Sequence, residues 1–136
     1  MKKAVIVTSI ILIGSAILIG GFLFLYRDQR EDKINDFISK NYKTLEQVAL
    51  DQLEGKIVAL PENVEKISVY DENFVEFATS GKVGFYYSKN DKPMAANNRK
   101  ADLIELGKSK YKWLDEYHEG ITNKIRKNWY YYRVTK

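Results

Sequence analysis

The chain reads as an α+β protein: an N-terminal transmembrane helix, then one long helix packed on a four- to five-stranded antiparallel sheet. Three observations predict this. Ala4 to Tyr26 is a run of 23 residues without a charge, preceded by Lys2 and Lys3 and followed by Arg27, Asp28 and Arg30. Apolar residues between Asp28 and Glu54 recur at steps of three and four, the period of one helical face. Beyond Gly55 the period falls to two, the signature of strands with one buried side.

The apolar run comes first. As a helix rising about 1.5 Å per residue it would measure roughly 34 Å, enough for a hydrocarbon core of about 30 Å. Met1-Lys2-Lys3 ahead of it also resembles the start of a secretory signal. A signal's apolar core is usually about 7–15 residues and closes on small residues at a cleavage site. Gly14-Ser15-Ala16 is the nearest approach to such a site, yet Ile17 to Leu25 carry the apolar run past it. A retained signal-anchor is therefore the expectation. The flanking cations nearly balance, with Lys2 and Lys3 against Arg27, Arg30 and Lys33. A three-residue tail ahead of a first span favours the N-terminus inside and the remainder outside. Ala16 and Gly20, with Gly14 and Gly21, offer a close-packing face for a homodimer. Glycine is common in such helices anyway, and nothing else in the chain calls for one.

The second element carries Ile34, Phe37, Ile38, Tyr42, Leu45, Val48, Ala49 and Leu53 on one stripe, with charged and amide residues opposite. Gly55 is a natural stop. Such a stripe suits either a coiled-coil seam or the domain's own sheet, and the sheet is the expectation. No Pro or Gly separates Tyr26 from Leu53, so the anchor and this helix could be continuous. Alternatively, Asp28 could cap a separate helix.

Strands are expected at Val64–Tyr70, Phe74–Thr79 and Val83–Ser88, separated by Asp71-Glu72-Asn73 and Ser80-Gly81-Lys82 turns. Lys89 to Pro93 is dense in turn formers. Residues 94–110 read as a long loop. Tyr111–Tyr117 reads as a strand, Glu119-Gly120 as a turn, Thr122–Lys127 as one helical turn, and Trp129–Val134 as the last strand. The expected division is a cytoplasmic tail at 1–3, the anchor at 4–26, the amphipathic helix at 27–55 and the sheet region at 56–136. Helix and sheet then form one domain, in an element order similar to cystatin-like folds. That likeness concerns fold and carries no function.

Composition narrows the function classes. Cysteine is absent, which removes disulfides, thiolate metal sites and cysteine nucleophiles. The net charge of +4 falls to +2 once Lys2 and Lys3 are set aside, too mild to suggest nucleic acid. It is uneven: 27–98 carry 10 basic and 13 acidic residues, whereas 99–136 carry 10 and 5. The basic tail would suit an anionic surface such as lipid headgroups or wall polymer, or form a plain solvated face.

Catalytic patterns are missing. His118 is the single histidine and is expected in an exposed turn. Asp115, Glu116 and Glu119 beside it lack a calcium-loop spacing, so no metal ligand and no cofactor is assigned. No serine sits in a nucleophile elbow and no glycine-rich phosphate loop exists. A non-enzymatic protein is expected.

The candidate surface is aromatic. Alternation along Asn128-Trp129-Tyr130-Tyr131-Tyr132 sends Trp129, Tyr131 and Arg133 to one face and Tyr130 and Tyr132 to the other. If the helix covers one face only, rings remain exposed beside Arg126, Lys127 and Arg133, a surface suited to a protein or cell-wall polymer. Cross-strand aromatic pairing would explain the same residues without a ligand. Gly84-Phe85-Tyr86-Tyr87-Ser88-Lys89-Asn90-Asp91-Lys92-Pro93 together with Asn128-Trp129-Tyr130-Tyr131-Tyr132 resembles a pattern in small, uncharacterised, membrane-anchored or secreted proteins of Gram-positive bacteria. The resemblance covers about the last 60 residues, departs over 94–110, and implies a location but no activity. The resulting expectation is a single-pass membrane protein displaying an extracytoplasmic binding domain through Trp129, Tyr130, Tyr131, Tyr132, Arg126 and Arg133. The alternative is an accessory subunit that assembles through the anchor and the 34–53 stripe.

Overall fold

The computed structural model describes residues 29–136, so the Ala4–Tyr26 anchor lies outside the described residues. Among the described residues no helix is long and apolar enough to cross a membrane. Helix α1 spans Gln29–Leu53. It closes where Gly55 takes a φ of 77°, with the Lys56 N–H donating to Asp51 O (2.9 Å) and the Gly55 N–H to Gln52 O (3.0 Å). A left-handed residue at this place answers otherwise orphaned carbonyls, and glycine does it without a Cβ clash.

Seven strands follow: β1 Lys66–Tyr70, β2 Phe74–Ala78, β3 Val83–Ser88, β4 Asp102–Gly107, β5 Lys110–Leu114, β6 Glu119–Arg126 and β7 Trp129–Val134. They form one antiparallel sheet in the order β1-β2-β3-β7-β6-β5-β4. Two meanders thus meet at its centre, where β3 pairs with β7 through Phe85↔Tyr131 and Tyr87↔Trp129. The architecture is α+β with one helix on the sheet, as expected, but the sheet is larger than four or five strands.

The additional strands are β4 and β6, in stretches expected as a loop and as turns. Residues 94–110 hold a short 3-10 turn, Ala96–Asn98, and then β4, whose residues are all exposed. An edge strand wet on both faces has no alternation to read. The Glu119-Gly120 turn, and the 122–127 helical turn up to Arg126, are both parts of β6. Its register shifts between Lys124 and Arg126, and that irregularity breaks the two-residue period. The strand expected at Tyr111–Tyr117 ends at Leu114.

Both faces of the sheet centre are covered. On one, α1 buries Ile34, Ile38, Leu45 and Ala49 against Val75, Phe77, Val83, Phe85, Trp129 and Tyr131. The helical stripe is therefore occupied by the domain's own core. Phe77 and Phe85 stack with centroids 4.9 Å apart and planes 7° apart. On the opposite face the crossover from β3 to β4 lays Met94, Ala95 and Ala96 over Tyr86, Trp113, Tyr130 and Tyr132. Small residues there let the backbone come down onto the rings.

Candidate binding cleft

A cleft of about 580 Å³ lies between the first turns of α1, the chain ahead of β1 and the β2–β3 connection. Its floor is apolar: Ile34 and Phe37 from the helix, Val83 and Phe85 from β3. Its rim is polar, with Arg30 and Lys33 on the helix, Glu62 and Asn63 ahead of β1, and Thr79 and Ser80 between β2 and β3. Three donors converge on the Val83 carbonyl and pin the last of these in place. They are the Thr79 and Ser80 N–H groups, each at 3.0 Å, and the Thr79 hydroxyl at 2.9 Å. On the other side Asn63 turns the chain with a φ of 62°, a conformation asparagine tolerates better than most residues.

Two cations, two hydroxyls, an amide and one carboxylate surround an apolar floor. Among the described residues no group of three or more His, Cys, Asp or Glu is placed to hold a metal ion.

The expected aromatic surface is not an open face. Trp129, Tyr130, Tyr131 and Tyr132 are all buried, at 2, 2, 0 and 3% exposure. The reason is the crossover strap, which covers the face that the helix leaves free. Trp129 and Tyr131 pack in the helix-side core, while Tyr130 and Tyr132 pack under Met94–Ala96. Arg126 is exposed and lies 3.6 Å over the Tyr42 ring. Arg133 is half-buried and partnered. The six residues thus split between two cores and the helix edge. His118 is likewise tied down: its Nδ1 is 2.9 Å from Arg99 Nη1 and 3.4 Å from Asp115 Oδ1.

Hydrogen bonds hold the strap. The Met94 N–H donates to the Tyr86 hydroxyl oxygen at 2.8 Å. Thr122 donates to Tyr131 O at 3.1 Å, so its oxygen is left to accept the Tyr86 proton across 2.7 Å. Burial pushes the Tyr86 phenol well above its ordinary range, which keeps that proton in place at any physiological pH. Glu76, 3% exposed, accepts the Asn97 N–H at 2.8 Å and the Tyr132 hydroxyl at 3.3 Å. Desolvation raises its carboxyl above the usual range despite those two bonds. At the strap's start, Asp91 accepts from Lys124 Nζ, from the Asn128 N–H at 2.9 Å and from the Tyr130 hydroxyl at 3.1 Å. Burial would raise its carboxyl, but these bonds outweigh it and hold the group below the usual aspartate range.

The cleft residues lie in three separate stretches of sequence and form no motif. The one local signal was the Ser80-Gly81-Lys82 turn, which is adjacent to its rim. Comparison of the chain with protein-family models, with curated proteins and with solved structures gives no match.

Proposed function

We propose that the chain is a single-pass membrane protein that displays its α+β domain outside the cell as a non-catalytic binding module. In this reading residues 4–26 form the anchor and the cleft is the seat for the ligand. The observation that carries it is the cleft itself: an apolar floor with a mainly cationic and hydroxylic rim, beside the helix turns that directly follow the apolar run. Such a seat fits a partner group that is apolar at one end and polar or anionic at the other. The buried aromatic strand flanks the seat, since Tyr131 stands beside the floor residue Phe85 in the strand register.

Two measurements test the proposal in the full chain. Lys89 is exposed, and the chain has no native cysteine, so Lys89→Cys is a unique label site. It should react with an impermeant thiol reagent on intact cells; an expressed, folded protein that stays unlabelled refutes outside display. A photoreactive residue replacing Asn63 should then give an adduct of discrete mass that the same residue at exposed Glu72 does not. Equal adducts at the two positions would remove the cleft as the seat.

A further inference from the structure

We propose that the β4–β5 hairpin is a docking element for an anionic lipid surface, an inference that rests on the anchor reading above. Ile104 and Leu106 are 47% and 64% exposed on the sheet's edge strand, Ile104 on the helix side and Leu106 at the irregularity between Glu105 and Gly107. The face follows from register, because Ile104 pairs with Lys112 and Lys112 with Ile121, which packs at the margin of the helix-side core. At the hairpin end stand Lys108 and Lys110, both exposed and neither with an ion-pair partner among the described residues. Apolar side chains next to unpaired ammonium groups are the chemistry of a bilayer interface bearing negative headgroups, not of a wholly aqueous edge.

Position supports this occupant over others. The Lys124 N–H donates to Ser109 O at 2.8 Å, Lys110 pairs with Asn123, and the Asn123 amide donates to Glu31 Oε1 at 3.1 Å. The hairpin end is thereby tied to the third residue of α1. Glu31 is five residues beyond Tyr26, a separation of no more than roughly 18 Å in any backbone conformation. If Ala4–Tyr26 spans a membrane, the hairpin end must lie close above that membrane. Its charge has the sign that anionic headgroups attract.

Ser109→Cys carrying an environment-sensitive fluorophore would report docking in the full chain, with Glu54→Cys at the far end of α1 as the distant control. The protein is reconstituted into phosphatidylcholine vesicles, with and without phosphatidylglycerol, that also carry a headgroup spin-label quencher. The expected result is strong quenching at Ser109, weak quenching at Glu54, and dependence of the Ser109 signal on phosphatidylglycerol. Each lysine near an anionic surface favours the docked state by about fivefold, so Lys108→Glu with Lys110→Glu should reduce docking by roughly 30-fold even before repulsion is counted. Equal quenching at the two sites, in vesicles from which alkali does not extract the chain, overturns the hairpin proposal and leaves the anchor standing. Extraction by alkali removes the anchor reading and this inference with it. A disulfide-linked dimer through unlabelled Ser109→Cys would show strand pairing between copies in place of lipid and would also overturn it.

Discussion

The two faces of the central sheet are buried to the same degree by opposite means. On the helix side, the contacts are carbon on carbon: Phe77 stacked on Phe85, Trp129 tilted at 6.0 Å from Phe85, and Ile38 and Ala49 pressed down from α1. Under the strap, Tyr86 stacks on Tyr130 at 5.1 Å and 2°, yet each ring also carries a hydroxyl with an assigned partner. A helix can cover a sheet by volume alone because its own backbone groups are already paired. A crossover segment has no such internal pairing. Its N–H groups at Met94 and Asn97 must find acceptors on the sheet, and Tyr86 and Glu76 supply them. The nature of the cover thus dictates the composition of the face beneath it.

If that contrast holds, the helix side should respond to lost volume. Phe85→Ala removes a ring that is 1% exposed and stacked on another, and should cost about 4 kcal/mol in denaturant unfolding. Phe85→Leu should restore most of it. Equal losses for Ala and Leu would mean that volume is not what matters there.

The strap side should instead respond to lost bonds at constant volume. Tyr86→Phe keeps the ring but leaves the buried Met94 N–H without its acceptor, for about 2 kcal/mol. Thr122→Val breaks the next link. Because Tyr86, Thr122 and Tyr131 form one directional chain, the double variant should cost less than the two single costs combined, by about 1 kcal/mol. Strict additivity would dissolve the network into independent bonds and erase the distinction between the faces.

This asymmetry also explains what could be read from the residues in advance. Helix α1 announces itself because its outer face is wet, so the period of the buried stripe survives in the sequence. Strands β1 to β3 are legible from the turns that separate them, although β3 is buried throughout. Strand β7 is legible as a strand from its aromatic run, but its environment is not. Alternation assigns Tyr130 and Tyr132 to the second face without saying what lies on it. The cover, Met94-Ala95-Ala96, is three small or flexible residues with no pattern of their own. Strand β6 was hidden by Gly120, which looks like a turn. The glycine is required because a Cβ there would sit 2.1 Å from the Trp113 ring. The cleft was illegible for a different reason: it is a space bounded by three separate stretches of chain, and no residue type marks such a space.

Glu76 gives the smallest effect and the sharpest test of the strap side, since its sign depends on pH. The side chain is buried with Lys66 and Arg99 as the nearby cations and with Asn97 N–H and Tyr132 O–H as donors, yet desolvation keeps its pKa raised from 4.5. A raised folded-state value means that the group favours folding below its unfolded pKa and loses that contribution as pH climbs through the folded one. Asp91, held low by its three donors, behaves in the opposite sense, adding stability above its unfolded pKa and losing it as pH falls. Glu76→Gln removes the titration while keeping an oxygen for Asn97 and an N–H₂ that Tyr132 can accept. At acidic pH the variant should match or fall slightly below the parent. As pH rises toward neutrality it should gain on the parent, by about 1 kcal/mol or less. Glu76→Ala, which strands both donors, should be the less stable variant throughout. Denaturation midpoints for the three proteins between pH 4 and 7 decide the matter. A Gln-minus-parent difference that does not change with pH would mean that the carboxylate beneath the strap is not desolvated, and the strap would then be an ordinary wet loop resting on tyrosines.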